Sequence, residues 1–197
     1  MARDRKNYSY LISILKIISP VLFALFILIA NIISKSDLQE GSFKILNDNE
    51  YIASFISDTA KAEKSIICAL FMYKIDNYNI NNLEEPVPLI TSAFINAAKR
   101  NVNVTIIFEK SSDKDDLSNK YNTNTAAYLE KYGIKVLFDN ESKKLHAKLC
   151  LIDDKIIYTG SHNFTYSAMK RNSENSVRIV SYDEAEKIKE YFTKIQE

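Results

Sequence analysis

Cysteine is scarce in this chain of 197 residues, which contains only Cys68 and Cys150. Both lie in apolar, strand-like runs, and this position favours buried thiols over a disulfide framework. Their number and separation also do not fit the paired spacing of a zinc-binding motif. The sequence therefore predicts neither a disulfide-stabilised scaffold nor a structural zinc module.

Histidine is equally rare, and the larger part of the chain has no excess of positive charge. With only His146 and His162 present, a histidine-based metal cluster is excluded, and no metal or other cofactor is expected. Residues 36–197 contain 21 Lys and Arg against 24 Asp and Glu, a net charge of −3. This part of the chain therefore lacks a generally basic surface, and a local patch must meet any polyanionic substrate.

The long hydrophobic run of the chain, Leu11–Ile33, follows a short basic segment, residues 1–10. About 20 helical residues cross the hydrocarbon core of a bilayer, so residues 11–33 are predicted to form an uncleaved transmembrane anchor helix. The basic residues before it predict a cytoplasmic amino terminus and a membrane protein whose remaining chain is extracytoplasmic. The alternative is a cleaved signal peptide, but the run is long and no A-x-A site follows it.

Strands and helices alternate after a polar linker at residues 34–42. Ser65–Tyr73 has the pattern of a buried strand, Leu89–Arg100 that of an amphipathic helix, and Thr123–Tyr132 that of a further helix. Residues 43–197 are therefore predicted to form one α/β domain, an α/β/α sandwich with a mixed, largely parallel central sheet. No internal repeat is visible.

The segment with candidate chemistry is Leu145–Asn163, which reads LHAKLCLIDDKIIYTGSHN. His146 and Lys148 stand two residues apart in an apolar run that predicts a buried strand. Because alternate residues of a strand point to the same face, the imidazole and the ammonium are expected to project side by side. Asp153 has the opposite parity and stands where the strand ends, so it is less suited to contact a substrate.

A second short strand, Lys155–Thr159, leads to a turn that contains Ser161 and Asn163. A nucleophilic imidazole, a fixed cation, a hydroxyl and an amide can together hold a tetrahedral phosphate while the histidine attacks it. The alternative is a core strand that contains a histidine and a lysine by chance. A buried, unpaired lysine is rare, and its presence here favours a functional site.

The spacing of these residues resembles the HKD motif of the phospholipase D superfamily, which reads HxK, four residues, D, six residues and GSxN. Residues 88–109 resemble the helix and strand that precede the catalytic strand in that family, although Asn101 and Glu109 stand where glycine and aspartate are usual. The resemblance covers about residues 43–195, and members with one motif include small endonucleases and relatives of the mitochondrial cardiolipin hydrolase. It implies a phospholipase D-like fold and a phosphodiester hydrolase.

The resemblance also implies roles for individual residues. The implied catalytic residues are His146, Lys148, Asp153 and Glu174, and the implied phosphate-binding residues are Lys148, Ser161 and Asn163. Glu174 precedes a predicted strand, at about the distance where the family has an acidic residue. A carboxylate there would accept a hydrogen bond from one imidazole nitrogen of His146 and fix its tautomer. The alternative is a solvated glutamate at a strand edge. The motif position of His162 is variable, which favours a bystander.

A single imidazole cannot easily attack as a neutral base and donate a proton in the same step. The family places two HKD motifs across a two-fold axis, and this chain has only one motif. The resemblance therefore implies a homodimer in which two copies of His146 meet. One copy forms a phosphohistidine and the other protonates the leaving alcohol, with no metal ion required.

The sequence leaves the substrate open. A membrane anchor and the net charge of −3 favour a phospholipid head-group diester, and thus phospholipase D activity. The compact chain with its single motif favours the alternative, a membrane-anchored non-specific endonuclease that cleaves DNA or RNA. A third interpretation is a catalytically dead membrane scaffold, which the intact set of site residues disfavours.

Overall fold

The computed structural model describes residues 22, 39–75, 82–113, 115–140 and 143–197. The chain divides into two units, Met1–Gln39 and Glu40–Glu197, and the second contains all the strands described below. Apart from Leu22, the predicted anchor lies outside the described residues. Within the described ranges, no helix has both the length and the apolar character needed to cross a membrane.

The described residues of the second unit form one seven-stranded sheet. Its strands are β1 (Phe43–Asn47), β2 (Ser65–Leu70), β3 (Asn103–Phe108), β4 (Lys135–Phe138), β5 (Lys148–Ile152), β6 (Ile156–Gly160) and β7 (Asn175–Val180). Their order is β1-β7-β6-β5-β2-β3-β4. Only β2 with β3 and β3 with β4 pair in parallel, and the other neighbours are antiparallel. The prediction of a mixed sheet is confirmed, but "largely parallel" is wrong.

The antiparallel half of the sheet has a local cause at the turn between β5 and β6. Asp153 and Asp154 both have positive φ angles, 52° and 56°, and Lys155 donates its N–H to the carbonyl of Ile152. Two left-handed residues in succession form the turn that joins the strands of a tight hairpin. A parallel pair would instead need a crossover of a dozen or more residues.

Helices cover both faces of the sheet. They are α1 (Asn49–Lys61), α2 (Pro86–Lys99), α3 (Leu117–Leu129), α4 (Tyr166–Lys170) and α5 (Tyr182–Lys194), with a 3-10 turn at Glu130–Tyr132. The larger buried cluster contains side chains of α1, α2, α3 and α4, such as Phe55, Phe94, Leu129 and Met169. The other face packs against Ala185 and Phe192 of α5. The predicted α/β/α sandwich is confirmed.

Two helices begin earlier than the sequence predicts. Helix α2 begins at Pro86, because proline fits the first helical turn, where its missing N–H has no helical partner in any case. Helix α3 begins at Leu117, because the carboxylate of Asp116 accepts the N–H of Ser118 at 2.8 Å and caps the helix.

Cys68 and Cys150 form a disulfide between β2 and β5, and the expectation of free buried thiols is wrong. The two residues are directly opposite each other in the antiparallel register, with their Cα atoms 4.1 Å apart. They lie at a position between hydrogen-bonded pairs, where the Cα atoms of antiparallel strands approach most closely. The two cysteines are 82 residues apart in sequence, and only the strand order brings them together. Their proximity therefore could not be predicted from the local pattern.

The strand directions bring the candidate residues to one edge of the sheet. The parallel strands β2, β3 and β4 end at this edge, and β5, antiparallel to β2, begins there. The end of β6 and the beginning of β7 meet at the same edge, where Gly160 pairs with Ser176. In open α/β sheets, ligands bind outside the carboxyl ends of the parallel strands.

Candidate active site

His146 and Lys148 project from the beginning of the motif strand. Strand β5 begins at Lys148, later than the sequence predicts, and His146 lies in the extended segment just before it. The ladder continues beyond the strand, because Phe71 donates its N–H to the carbonyl of Ala147 at 2.8 Å. The imidazole of His146 is exposed and Lys148 is half-buried, so both lie where a substrate can reach them.

The ring of Phe71, which sequence reasoning missed, contacts both of these side chains. Its centroid lies 4.5 Å from that of the His146 ring, with the planes at 54°. The Nζ atom of Lys148 lies 4.8 Å from the same centroid, and that of Lys144 lies 5.1 Å from it. The imidazole and two ammonium groups therefore share one aromatic neighbour.

This environment favours a neutral imidazole. Burial lowers the pKa of His146 below its usual 6.5, and the charges of Lys148 and Lys144 lower it further. The pKa of Lys148 is also lowered, mainly by burial, although the carboxylate of Glu174 acts in the opposite direction. A neutral imidazole has the free electron pair that nucleophilic attack needs, and the ammonium beside it attracts an anion.

Ser161 and Asn163 follow β6 in the turn that the motif predicts. The hydroxyl of Ser161 accepts the N–H of Asn175 at 3.0 Å and lies 3.2 Å from the carbonyl oxygen of the same residue. These contacts fix the turn against β7. The Oδ1 atom of Asn163 is buried and has no hydrogen-bond partner among the described residues.

Glu174 lies at the same edge and is fixed by its backbone. Its N–H donates to Oδ1 of Asp48 at 2.9 Å, and its carbonyl accepts the N–H of Asp48 at 3.0 Å. The carboxylate accepts a hydrogen bond from the side chain of Asn172 at 2.9 Å, and in this part of the structure it has no such bond with His146. Its predicted role in orienting the imidazole stays a prediction.

The structure does not bring Asp153 to the site. Its carboxylate accepts the backbone N–H groups of Glu63, Lys64 and Ser65, at 2.7 to 3.0 Å. Because four residues of extended chain separate it from Lys148, the Cα atoms of the two are five residue steps, roughly 16 Å, apart. Asp153 therefore fixes the chain before β2 at the opposite edge of the sheet, and its implied catalytic role has no support from this geometry.

His162 is in the core. Its side chain is 0% exposed, its Nδ1 atom lies 2.7 Å from the hydroxyl of Ser176, and its Nε2 atom lies 3.2 Å from the carbonyl oxygen of Asp48. The ring also stacks on Tyr51, with centroids 4.5 Å apart. Both ring nitrogens are thus engaged inside the protein, which agrees with the interpretation of His162 as a bystander.

The carboxylate of Glu109 contacts the backbone of the segment just before His146. The residue is 1% exposed, and its carboxylate accepts the backbone N–H of Leu145. Burial, opposed in part by that hydrogen bond and reinforced by the neighbouring Asp139, raises the pKa of Glu109 to about 7. The sequence shows Glu109 only as a departure from the family pattern. Its support of the catalytic segment depends on the fold.

The described residues contain no group of three or more His, Cys, Asp or Glu side chains arranged to hold a metal ion. What the edge of the sheet does present is an accessible imidazole, an ammonium beside it, and a turn with a hydroxyl and an amide. Such a set can bind a phosphate and attack it.

Comparison with known proteins agrees with this chemistry. Residues 55–196 match the family described as "Cardiolipin synthase, PLD-like domain", and the chain belongs to this phospholipase D-like family. The resemblance seen in the HKD motif is thereby confirmed.

Several relatives carry the name phospholipase D. The chain is 42% identical over 91 residues to "Phospholipase D" of Rickettsia prowazekii, which covers 46% of this chain and 42% of that protein. It is 40% identical over 98 residues to the Rickettsia typhi protein of the same name, covering 50% of this chain and 45% of that one. The matched region thus spans less than half the length of these curated relatives.

Solved structures show the same fold. Nuc of Salmonella typhimurium, described as a phospholipase D family member, superposes with a TM-score of 0.64 at 23% identity over 79% of this chain and 94% of that one. NucT of Helicobacter pylori superposes with a TM-score of 0.59 at 24% identity over 78% of this chain and 96% of that chain.

Proposed function

We propose that this protein hydrolyses phosphodiesters without a metal ion, through a covalent phosphohistidine on His146, as a homodimer. The observation that carries the proposal is the different placement of the two histidines. His146 is exposed at the edge of the sheet, whereas His162 is closed inside the core with both ring nitrogens engaged. The chain therefore has one imidazole for a reaction that needs a nucleophile and an acid.

In the first step, a ring nitrogen of His146 attacks the phosphorus. A P–N bond forms while the bond from phosphorus to the leaving oxygen breaks, and that oxygen takes a proton from the imidazolium of the second copy's His146. In the second step, the imidazole that gave up its proton accepts one from water. The resulting hydroxide attacks the phosphorus, the P–N bond breaks, and both rings return to their starting states.

The other motif residues stabilise the charge on the phosphate oxygens. Lys148 supplies a cation. Because this side chain is half-buried, its attraction for an anion is stronger than that of a lysine in open water. Asn163 and the hydroxyl of Ser161 complete the phosphate site from the turn after β6. With two such sets in a dimer, the charges come from the protein itself, and this accounts for catalysis without a metal ion.

The substrate that we propose is a phospholipid head-group diester. The relatives named phospholipase D support it, and so does the apolar run Leu11–Ile33, which would hold the site close to lipid head groups. The alternative is a nuclease that acts on DNA or RNA. One observation favours it: Lys74 over Tyr121, at 4.7 Å, and Arg171 over Tyr166, at 5.1 Å, place cations and aromatic faces at the same edge as the motif.

We further propose that the protein is a single-pass membrane protein with its catalytic domain on the extracytoplasmic side. The basic residues before the apolar run support this orientation. The disulfide between Cys68 and Cys150 supports it independently, because disulfides persist in oxidising compartments and are rare in a reducing cytosol.

The experiment uses the full chain, reconstituted in vesicles of phosphatidylcholine and cardiolipin, with EDTA present throughout. The expected result is release of phosphatidic acid and head group, and its complete loss in His146→Asn. Parallel reactions contain single-stranded DNA and RNA, and cleavage of these alone would establish the nuclease. Activity that disappears in EDTA and returns with a divalent ion would refute the metal-independent mechanism, and no product from any substrate would indicate a scaffold.

A further inference from the structure

We propose that Phe71 is a positioning residue, which holds His146 and the ammonium groups of Lys148 and Lys144 as one cluster that faces the substrate phosphate. The inference deepens the proposed function, since it assigns to the phosphohistidine site a residue outside the HKD motif. Phe71 follows the last residue of β2 and comes from a different part of the chain than the motif.

Two contacts connect Phe71 with the motif strand. Its N–H donates to the carbonyl of Ala147 at 2.8 Å, which fixes its backbone opposite the residue between His146 and Lys148. From this position its ring reaches the imidazole, with centroids 4.5 Å apart. The backbone pairing thus places the ring within reach of the imidazole.

The ring also contacts the two ammonium groups, at 4.8 Å for Lys148 and 5.1 Å for Lys144. Cations within about 6 Å of an aromatic centroid are attracted by the negative face of the ring. This attraction counteracts the mutual repulsion of two like charges beside one imidazole. Phe71 acts beside two other contacts, since Lys144 pairs with the carboxylate of Asp116 at 3.4 Å and Lys148 donates to the carbonyl of His146 at 2.9 Å. The ring is a neighbour that both cations share with the imidazole.

An aromatic ring beside the ammonium of Lys148 affects phosphate binding differently from a carboxylate at the same place. A carboxylate that held Lys148 would neutralise it, and a phosphate would have to displace that carboxylate to bind. A ring holds the ammonium and leaves its positive charge available to an anion. The ring also keeps water from one side of His146, in agreement with burial as the largest cause of its lowered pKa.

The structure provides a matched control at the opposite edge of the sheet. There, Nζ of Lys155 lies 4.8 Å from the ring centroid of Tyr182, the same distance as between Lys148 and Phe71. Tyr182 is 55% exposed and lies beside the turn between β5 and β6, away from the motif. Tyr182→Leu therefore removes an equivalent contact between a cation and a ring without touching the site.

The test compares Phe71→Leu, Phe71→Tyr and Tyr182→Leu, with bis(p-nitrophenyl) phosphate as the substrate and EDTA present. We expect Phe71→Leu to lower kcat about tenfold, because apolar bulk without a π face does not hold the ammonium groups. Phe71→Tyr keeps the ring and should stay within about twofold of the wild type, as should Tyr182→Leu. His146→Asn serves as the inactive reference.

A second readout does not depend on activity. Because the chain has only two histidines, their imidazole C–H signals are resolved by NMR and assigned with His146→Asn. Phe71→Leu should move the signal of His146, through loss of the ring current, and raise the pKa of His146 towards its ordinary value. The signal of His162, which stacks on Tyr51, should stay in place.

The outcomes separate this inference from the proposed function. Turnover that persists in His146→Asn would overturn the proposed mechanism, and the NMR signals would still decide whether Phe71 positions the imidazole. Loss of turnover in His146→Asn together with a wild-type kcat in Phe71→Leu would overturn the role of Phe71 alone. An equal loss in Phe71→Tyr, or an unmoved His146 signal in Phe71→Leu, would overturn it as well.

Discussion

The Nδ1 atom of His162 lies 2.7 Å from the hydroxyl of Ser176, a residue of the neighbouring strand β7. The opposite ring nitrogen faces the carbonyl oxygen of Asp48 at 3.2 Å. Burial lowers the pKa of His162, which favours the neutral ring, and the two contacts fix it in the core. The chain therefore has two histidines with different tasks, one that maintains the turn after β6 and one that is open to substrate.

The first prediction separates these two tasks. His146→Asn should abolish turnover and leave the free energy of unfolding almost unchanged, because the side chain is exposed. His162→Asn should lower the free energy of unfolding by about 1–3 kcal/mol, since it disrupts a buried hydrogen-bonded ring, and should lower turnover only in part, through the turn that contains Ser161 and Asn163. Urea unfolding and turnover of bis(p-nitrophenyl) phosphate measure the two effects. Near-normal turnover in His146→Asn would remove it from the mechanism.

The second prediction concerns the acid limb of the pH profile. The pKa of His146 is lowered, so its nucleophilic neutral form is present above that pKa and is lost as the pH falls through it. The acid limb of kcat/KM should therefore have its midpoint below 6.5, the ordinary histidine value. Lys144→Gln removes one of the charges that lower this pKa and should move the limb to higher pH.

The control for Lys144→Gln is Lys155→Gln, at the opposite edge of the sheet, which should leave the limb where it is. A midpoint above 6.5 in the wild type, or equal shifts in the two variants, would contradict the electrostatic explanation.

The third prediction concerns the disulfide. Cys68 and Cys150 close a loop with a sequence separation of 82 residues, and a cross-link over such a loop contributes about 4 kcal/mol to the free energy of unfolding. The double variant Cys68→Ala/Cys150→Ala should be less stable by an amount of this order. A thiol reagent added to the wild type in denaturant without reductant should find no free thiol, and reaction of two thiols per chain would contradict the pairing.

The fourth prediction concerns Gly160, where β6 comes unusually close to β7. A Cβ atom at this position would lie 2.4 Å from Cα of Ser176 and 2.5 Å from the carbonyl oxygen of Asn175. Gly160→Ala should therefore force the strands apart, lower stability by roughly 1–3 kcal/mol and reduce turnover by displacing Ser161 and Asn163. Denaturation curves and kcat measure both effects.

Gly133→Ala is the matched control, because a Cβ atom at Gly133 meets nothing within 4 Å, although φ is +77°. It should cost about 1 kcal/mol through backbone strain alone and leave kcat unchanged. A loss of turnover in Gly133→Ala equal to that in Gly160→Ala would show that general destabilisation, and not the turn, determines the activity.

Local patterns were sufficient to predict much of this fold. The alternation of apolar residues predicts the strands, and Gly133 and Asn101 end their helices with φ angles of 77° and 67°. Asparagine replaces the usual glycine at position 101 because its short polar side chain tolerates this region. The motif predicts that His146, Lys148, Ser161 and Asn163 lie at one edge of the sheet, because they are contained in one short segment, whereas its Asp153 lies at the opposite edge.

What the sequence did not show depends on contacts between distant segments. The bond between Cys68 and Cys150 follows from the register of β2 and β5. Phe71 has the same local pattern as any core phenylalanine, and only its pairing with Ala147 reveals its contact with the imidazole. The contact of Glu109 with the backbone of Leu145 likewise depends on the order of strands in the sheet.

The central claim is that two copies of His146 act on one phosphorus atom, and mixed dimers test it most directly. Wild-type chains and His146→Asn chains are co-assembled at a ratio of one to one, and the turnover per total protein is measured. If both imidazoles are needed, only wild-type homodimers are active, so random assembly should leave about one quarter of the wild-type activity. Retention of about one half would show that each chain acts alone and would contradict the claim.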